Sequence, residues 1–277
     1  MRERRWIVDT TLRDGEQRPG IALRPEDKIQ LALLLDDINV HEIEVGIPNV
    51  DTEGIDYVKE IMKKKKNSYI SVWSRVNEED VIYSVSCCPD IIHIGTPVSY
   101  VQIYSKLKKN KVWMQKTLAR CVDIAMNHGV KVTVGFEDSS RADVGFMIHT
   151  ARLLKDMGVE TIRIADTVGV LTPCRTRTMI EEILEHVDIN IEMHAHNDLG
   201  MAIANSIEGA KAGAKLIDCA LFGIGERSGN CNMWEFLHAA ERTFDFGIQK
   251  KKVREVEKAF EKIAGGNWNE WENSSSF

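Results

Sequence analysis

No run of apolar residues in this 277-residue chain approaches the roughly 20 needed to cross a bilayer. Its opening, Met-Arg-Glu-Arg-Arg-Trp-Ile-Val-Asp, brings in charge before an apolar signal segment can develop. A chain with neither membrane span nor signal peptide is expected in the cytoplasm. There is no excess of positive charge. The formal net charge is -6 and the sequence pI about 5.8, which removes general attraction to nucleic acid or anionic lipid. Nor is there any Cys-x-x-Cys pair. Cys87, Cys88, Cys121, Cys174, Cys219 and Cys231 are scattered, which argues against a zinc–thiolate site and leaves buried free thiols as the expectation. Linkers, short repeats and low-complexity segments are missing too, apart from the polar stretch Gly265–Phe277, whose Ser274–Ser276 should fray.

What is present is an alternation. Short β-branched or apolar runs lie at Trp6–Asp9, Glu42–Val45, Ile70–Trp73, Ile91–Ile94, Lys131–Val134, Thr161–Ile164, Ile191–His194 and Leu216–Ala220. Between and after them come segments of helical period: Pro25–Ile38, Thr52–Lys66, Val112–Asn127, Asp143–Met157, Pro173–His186, Met201–Ala212 and Asn232–Thr243. Pro25 and Pro173 stand where first-turn prolines belong, and Gly129, Gly158 and Gly213 follow helices and precede strands. Eight such units in a chain of this length predict an α/β fold of the (β/α)₈ TIM-barrel class, which needs about 250 residues. The barrel should occupy residues 1–245, with 246–277 a short C-terminal extension carrying a helix at Val253–Ile263. Lys63–Lys66 should close the second helix, where cations suit the negative end of its dipole, and Lys250–Lys252 should be solvated.

In a barrel of this kind the reacting groups stand at the C-terminal ends of strands. The first strand runs into Asp9-Thr-Thr-Leu-Arg-Asp-Gly-Glu-Gln17, the seventh into His194-Ala-His-Asn-Asp198 and the eighth into Gly223-Ile-Gly-Glu-Arg-Ser-Gly-Asn230. Residues i and i+2 of a strand share a face, so His194 and His196 can converge on one point. Imidazole is a common ligand of divalent first-row metals, Asp14 can add a carboxylate oxygen, and Asn230 an amide oxygen or a hydrogen bond to bound water. An isolated His-x-His is more often structural; an acidic loop at another strand end shifts the balance towards a metal. Arg13 can stabilise enolate charge or grip a carboxylate through paired bonds, or it can form a structural ion pair. Glu44 can meet Arg13 or a substrate. Thr167 can donate to a substrate carboxylate or cap a turn. Glu137, Asp138, Ser139 and Arg141 can be site wall or loop scaffold.

These three stretches together resemble the signatures of the DRE-TIM metallolyases, which include isopropylmalate, homocitrate and citramalate synthases and hydroxymethylglutaryl-CoA lyase, all with a pyruvate carboxyltransferase-like barrel. The resemblance covers about residues 6–245. Glu42-Ile-Glu-Val-Gly-Ile-Pro48, Val134–Asp143 and Arg163–Leu171 are most similar to the homocitrate synthases of nitrogen fixation. The resemblance implies a divalent cation (Mg²⁺, Mn²⁺ or Zn²⁺) on Asp14, His194 and His196, with Asn230 completing the site. It implies Arg13 as the catalytic arginine, with Glu44 a second catalytic-site residue, and Gln17, Glu44, Glu137 and Thr167 in the substrate pocket. The implied reaction is a Claisen-type condensation of acetyl-CoA with a 2-oxo acid, 2-oxoglutarate first among acceptors, followed by thioester hydrolysis. A homo-oligomer is implied as well.

The family's synthases continue beyond the barrel into a subdomain that contributes near the acetyl-CoA site, and this sequence stops short of it. Three readings follow: one half of a split synthase completed by a separate C-terminal subunit, a barrel-only retro-Claisen lyase or aldolase, or a scaffolding relative. A 2-oxo acid binding protein is an alternative of another class. 2-Oxoisovalerate, pyruvate and oxaloacetate are the competing acceptors.

Overall fold

The computed structural model describes residues 2–48 and 55–265. Eight parallel strands close into a barrel in sequence order: β1 (Trp6–Asp9), β2 (Glu42–Glu44), β3 (Tyr69–Arg75), β4 (Ile91–Pro97), β5 (Lys131–Glu137), β6 (Thr161–Asp166), β7 (Asn190–Ala195) and β8 (Leu216–Cys219). Closure is made by β1 against β8, with Trp6 opposite Leu216 and Asp9 opposite Cys219. The strands are buried on both faces, by the barrel interior and by the helices, which is why their sequences are dense in Ile and Val. Each fully buried Ile or Val adds on the order of 1.5–3 kcal/mol of burial.

The helices are α1 (Pro25–Asp37), α2 (Ile55–Lys64), α3 (Glu78–Ser86), α4 (Lys111–Asn127), α5 (Val144–Asp156), α6 (Pro173–His186), α7 (Ala202–Ala212), α8 (Met233–Ala240) and α9 (Lys250–Ala264). Their starts are fixed by side chains that accept orphan backbone N–H groups. Asn110 accepts from Trp113 at 2.8 Å, Asp143 from Phe146 at 2.8 Å and Asn232 from Glu235 at 3.2 Å. Pro25 and Pro173 open their helices, and Gly129, Gly158 and Gly213 take the left-handed backbone that ends them. In α4 the buried side chains Met114, Leu118, Cys121, Val122 and Ala125 form one stripe against the barrel.

Two departures from the sequence reading have local causes. Helix α3 buries only Asp80, Val81 and Ser84, so no apolar stripe announces it; Asn77, accepting from Glu79 at 2.8 Å, starts it. A π-helical turn at Val101–Lys106 follows β4. Lys250–Lys252 form the first turn of α9, with Lys251 and Lys252 exposed to solvent as expected and Lys250 Nζ reaching Glu241 at 2.6 Å. Helix α9 buries Val253, Val256, Glu257 and Phe260 and packs on α1 and α8. Lys63 and Lys64 lie in the last turn of α2; Thr52–Gly54 and 266–277 fall outside the described residues. No helix among the described residues is long and apolar enough to cross a membrane.

Candidate functional site

The C-terminal ends of β1, β2, β6, β7 and β8 deliver ionisable side chains to one buried centre. After β1 the chain turns tightly: the N–H groups of Arg13, Asp14 and Gly15 all point at the Thr10 carbonyl, at 3.2, 2.8 and 3.0 Å. This turn aims Asp14 inward. On β7, His194 points into the barrel, and His196 follows two residues on, where it bridges the backbone of Asn230. The two Nε2 atoms face each other at 3.3 Å, and Asp14 Oδ2 lies 3.5 Å from that of His194 and 3.9 Å from that of His196. Ligand atoms of Asp14, His194 and His196 all fall within 4.8 Å of one another, and all three residues are buried.

Asn230 closes the cluster from the loop after β8. Its Nδ2 donates to Asp14 Oδ1 at 2.9 Å and to the Ile224 carbonyl at 2.8 Å. Its Oδ1 is buried with no hydrogen-bond partner, as is His196 Nδ1. Buried acceptors are almost always satisfied, so an unpaired amide oxygen beside two imidazoles and a carboxylate suits a cation or a water on one. The mixed nitrogen and oxygen donors could hold a divalent ion. Gly225 makes this approach feasible: a Cβ there would overlap Asn230 Nδ2 and come within 3.2 Å of Asp14 Oδ1.

Arg13 lies beside the cluster. Its Nη1 donates to Asp14 Oδ2 at 2.6 Å, and its Nε donates to Glu44 Oε1 in a short contact. Glu44 is fully buried and accepts a second guanidinium, Arg163, through Oε2 at 2.8 Å. The remaining predicted residues form a separate group. Thr167 Oγ1 donates to Glu137 Oε2 at 3.1 Å and accepts from the Asp138 N–H at 2.8 Å. Asp138 is buried and gripped by both Nε and Nη2 of Arg141, so these two are loop scaffold. Ser139 donates to the Phe136 carbonyl and is scaffold too. Gln17 ends the turn after Asp14 exposed to solvent.

Several residues of this centre were not singled out by the sequence. Asp218 on β8 accepts from His194 Nδ1 at 2.8 Å. Arg163 on β6 contacts Glu44, Glu192 and Asp218. His93 on β4 is fully buried; its Nδ1 is bonded to Thr133 Oγ1 at 2.8 Å and its Nε2 has no hydrogen-bond partner. Gly135 is obligatory beside it, since a Cβ would overlap that Nε2. The available signal was a charged or imidazole side chain in an otherwise apolar parallel strand.

The charges sort themselves. Burial works against every one, but Arg13 and the two histidines hold Asp14 well below the ordinary carboxylate range. Arg13 and Arg163 likewise keep Glu44 low, and Arg163 and His194 keep Asp218 low. Glu192 goes the other way: burial, with Asp218 adding to it, outweighs Arg163 and raises it well above the usual value. Burial opposes the charged form of His194, yet bonds to Asp14 and Asp218 raise it to about 9; burial and the neighbouring His194 charge lower His196 to about 4. One imidazole therefore carries a proton where the carboxylates are, and the other presents a free lone pair.

Residues 4–259 match the family described as HMGL-like. The chain is 42% identical over 269 residues to a homocitrate synthase subunit alpha of Clostridium pasteurianum, covering 95% of this chain and 98% of that one. It is 41% identical over 253 residues to 2-isopropylmalate synthase 2 of Caldanaerobacter subterraneus subsp. tengcongensis, covering 91% of this chain but 66% of that protein. Its fold is that of a hydroxymethylglutaryl-CoA lyase from Pseudomonas aeruginosa, with TM-score 0.84 at 18% identity over 96% of this chain and 95% of that one.

Proposed function

From the premise that the chain belongs to the HMGL-like family, we propose that it joins the acetyl group of acetyl-CoA to the carbonyl carbon of a 2-oxo acid, with 2-oxoglutarate as acceptor and homocitrate as product. The observation that carries this reading is the convergence of Asp14, His194 and His196 with Arg13 bonded to the same carboxylate. The choice of acceptor is supported by relatives named homocitrate synthase, in Clostridium pasteurianum and in Nostoc. Others are named for 2-isopropylmalate and (R)-citramalate, so acceptor choice is the finer part of the proposal.

Asp14, His194 and His196 would hold a divalent cation, Mg²⁺, Mn²⁺ or Zn²⁺, and Asn230 Oδ1 would complete its surroundings. When bound, that ion supplies Lewis-acid polarisation of the acceptor's carbonyl. The protein's own part begins with Arg13. Fixed by Glu44 on one side and Asp14 on the other, its guanidinium is held ready for the negative charge that develops on the carbonyl oxygen as the acetyl enolate adds. Because both partners are buried, that donor needs no reorganisation at the moment of reaction. Thr167 would meet the acceptor's far carboxylate by turning its hydroxyl from Glu137 to donate to it. The name "subunit alpha" of the Clostridium relative supports a second subunit that works with this one near the thioester.

The deciding assay is release of free thiol from acetyl-CoA by the purified chain with Mn²⁺, offered 2-oxoglutarate, 2-oxoisovalerate, pyruvate or oxaloacetate, with His194→Ala as control. Metal-dependent release with 2-oxoglutarate alone is the expected result. Release with another acceptor alone would move the assignment within the synthases. Silence with all four, from a chain that binds Mn²⁺, would reject an autonomous synthase.

A further inference from the structure

We propose that Arg163 is a positioning residue that aligns both halves of the site at once: the imidazole that would face the metal, through Asp218, and the arginine that would face the acceptor, through Glu44. Resting on the metal reading above, the inference adds to it a residue that touches neither metal nor substrate.

The geometry is specific. From β6 the fully buried Arg163 guanidinium spans the barrel interior to three carboxyl groups on three other strands. Nη2 donates to Glu44 Oε2 on β2 at 2.8 Å, and Nε meets Glu192 Oε1 on β7 at 2.7 Å and Asp218 Oδ2 on β8 at 3.0 Å. Asp218 Oδ2 is the same atom that accepts His194 Nδ1–H at 2.8 Å. Holding that carboxylate fixes the proton on Nδ1 and turns Nε2 towards Asp14 and His196. A carboxylate behind a ligating histidine sets tautomer and ring orientation, and its loss typically weakens metal affinity about 10–100-fold. On the other side Glu44 passes the constraint to Arg13 Nε, and Arg13 Nη1 returns to Asp14. The circuit Arg163–Asp218–His194–Asp14–Arg13–Glu44–Arg163 is closed. A planar guanidinium with donors pointing in fixed, divergent directions can hold Glu44 and Asp218 simultaneously; a lysine ammonium has one centre and must choose. Glu192 takes the Nε–H hydrogen bond itself at 2.7 Å, while Asp218 Oδ2 meets the same nitrogen as an ion pair; Glu192 is bonded to neither Arg13 nor His194, so it shares the guanidinium without belonging to the circuit.

The test uses the full-length chain and needs no turnover. Mn²⁺ affinity is measured by electron paramagnetic resonance of the free ion for wild type, Arg163→Lys, Arg163→Met and Glu192→Gln, with circular dichroism to establish folding. Glutamine matches glutamate in shape and keeps an acceptor oxygen for Arg163 Nε. The expected result is a Mn²⁺ dissociation constant raised about 10–100-fold in Arg163→Met, by a smaller factor in Arg163→Lys, and within about twofold of wild type in Glu192→Gln. A purely packing role would move Glu192→Gln along with the lysine variant. If the methionine variant does not fold, the lysine variant, which keeps the buried charge, carries the comparison with glutamine. Wild-type affinity in a folded Arg163 variant overturns the inference alone. A wild-type chain that binds no Mn²⁺ overturns the metal reading and the inference together.

Discussion

Gly225 offers a test that separates steric fit from everything else about the site. An alanine Cβ there would overlap Asn230 Nδ2, so Gly225→Ala must push that amide off Asp14 Oδ1 and the Ile224 carbonyl, now 2.9 and 2.8 Å away. Gly225 is not among the residues with left-handed backbone, so alanine adds no conformational strain of its own. Overpacking costs about 1–3 kcal/mol, and a buried acceptor stripped of its donor about 1–3 more. We expect about 3 kcal/mol in total, a fall in melting temperature of about 6–12 °C for a domain of this size. Asn230→Ala alone should cost about 2 kcal/mol, since it leaves the same two acceptors bare. In the double variant the intruding methyl has lost the group it struck, and only Asp14 Oδ1, at 3.2 Å from the new carbon, remains close. The double should therefore cost about 2–3 kcal/mol rather than the sum of about 5, an interaction of at least 2 kcal/mol. Urea unfolding of the four proteins reads this directly. Additivity within about 0.5 kcal/mol would show that Asn230 is not the group for which Gly225 makes room.

Two further outcomes follow from the same structure. Mn²⁺ at about one hundred times its dissociation constant should stabilise the chain by about 2.7 kcal/mol; a melt by dye fluorescence should show the upshift, chelator should reverse it, and Asp14→Asn or His196→Ala should lack it. At the far end of α1, buried Asp36 accepts the backbone N–H groups of Lys66, Asn67 and Ser68 at 2.8, 2.8 and 2.7 Å. Burial disfavours its charge, but these bonds hold it below its ordinary value of 3.8. A lowered folded value means stability present above that ordinary value and lost as pH falls through the lower one. Asp36→Asn should cost about 2 kcal/mol near pH 7 and progressively less in acid; a difference independent of pH would refute the assignment.

The barrel was legible because its punctuation is local. A glycine that ends a helix and the apolar run that follows it are neighbours in sequence, and three such joins, with Pro25 and Pro173 opening helices, mark the units without any knowledge of packing. The same holds for His194 and His196, whose shared face follows from strand geometry alone. Asp14 could be placed because it lies in the loop that follows the first strand. Helix α3 escaped because its nine residues bury so little apolar surface that no period appears.

The charged interior escaped for a different reason. Glu42, Glu44, Arg163, Glu192 and Asp218 each interrupt a strand that should, in a parallel barrel, be apolar on both faces. The sequence shows that each is there and, since an unpaired buried charge is prohibitively costly, that they must meet one another. It does not show which meets which. Arg163 and Glu44 are 119 residues apart, and their contact depends on strand register and on the closure of β1 against β8. Five ionisable residues on four strands already imply one shared polar centre, and the count of charges limits its pairing. Arg163 is the one cation among these five, so the carboxyls with no second cation beside them bear the larger cost of burial. The structure agrees: burial raises Glu42 to about 7 and Glu192 well above its usual value, while Glu44 and Asp218 stay charged. The two that keep their charge are those that also reach Arg13 and His194, so the carboxylates spared protonation are the ones tied to the candidate chemistry.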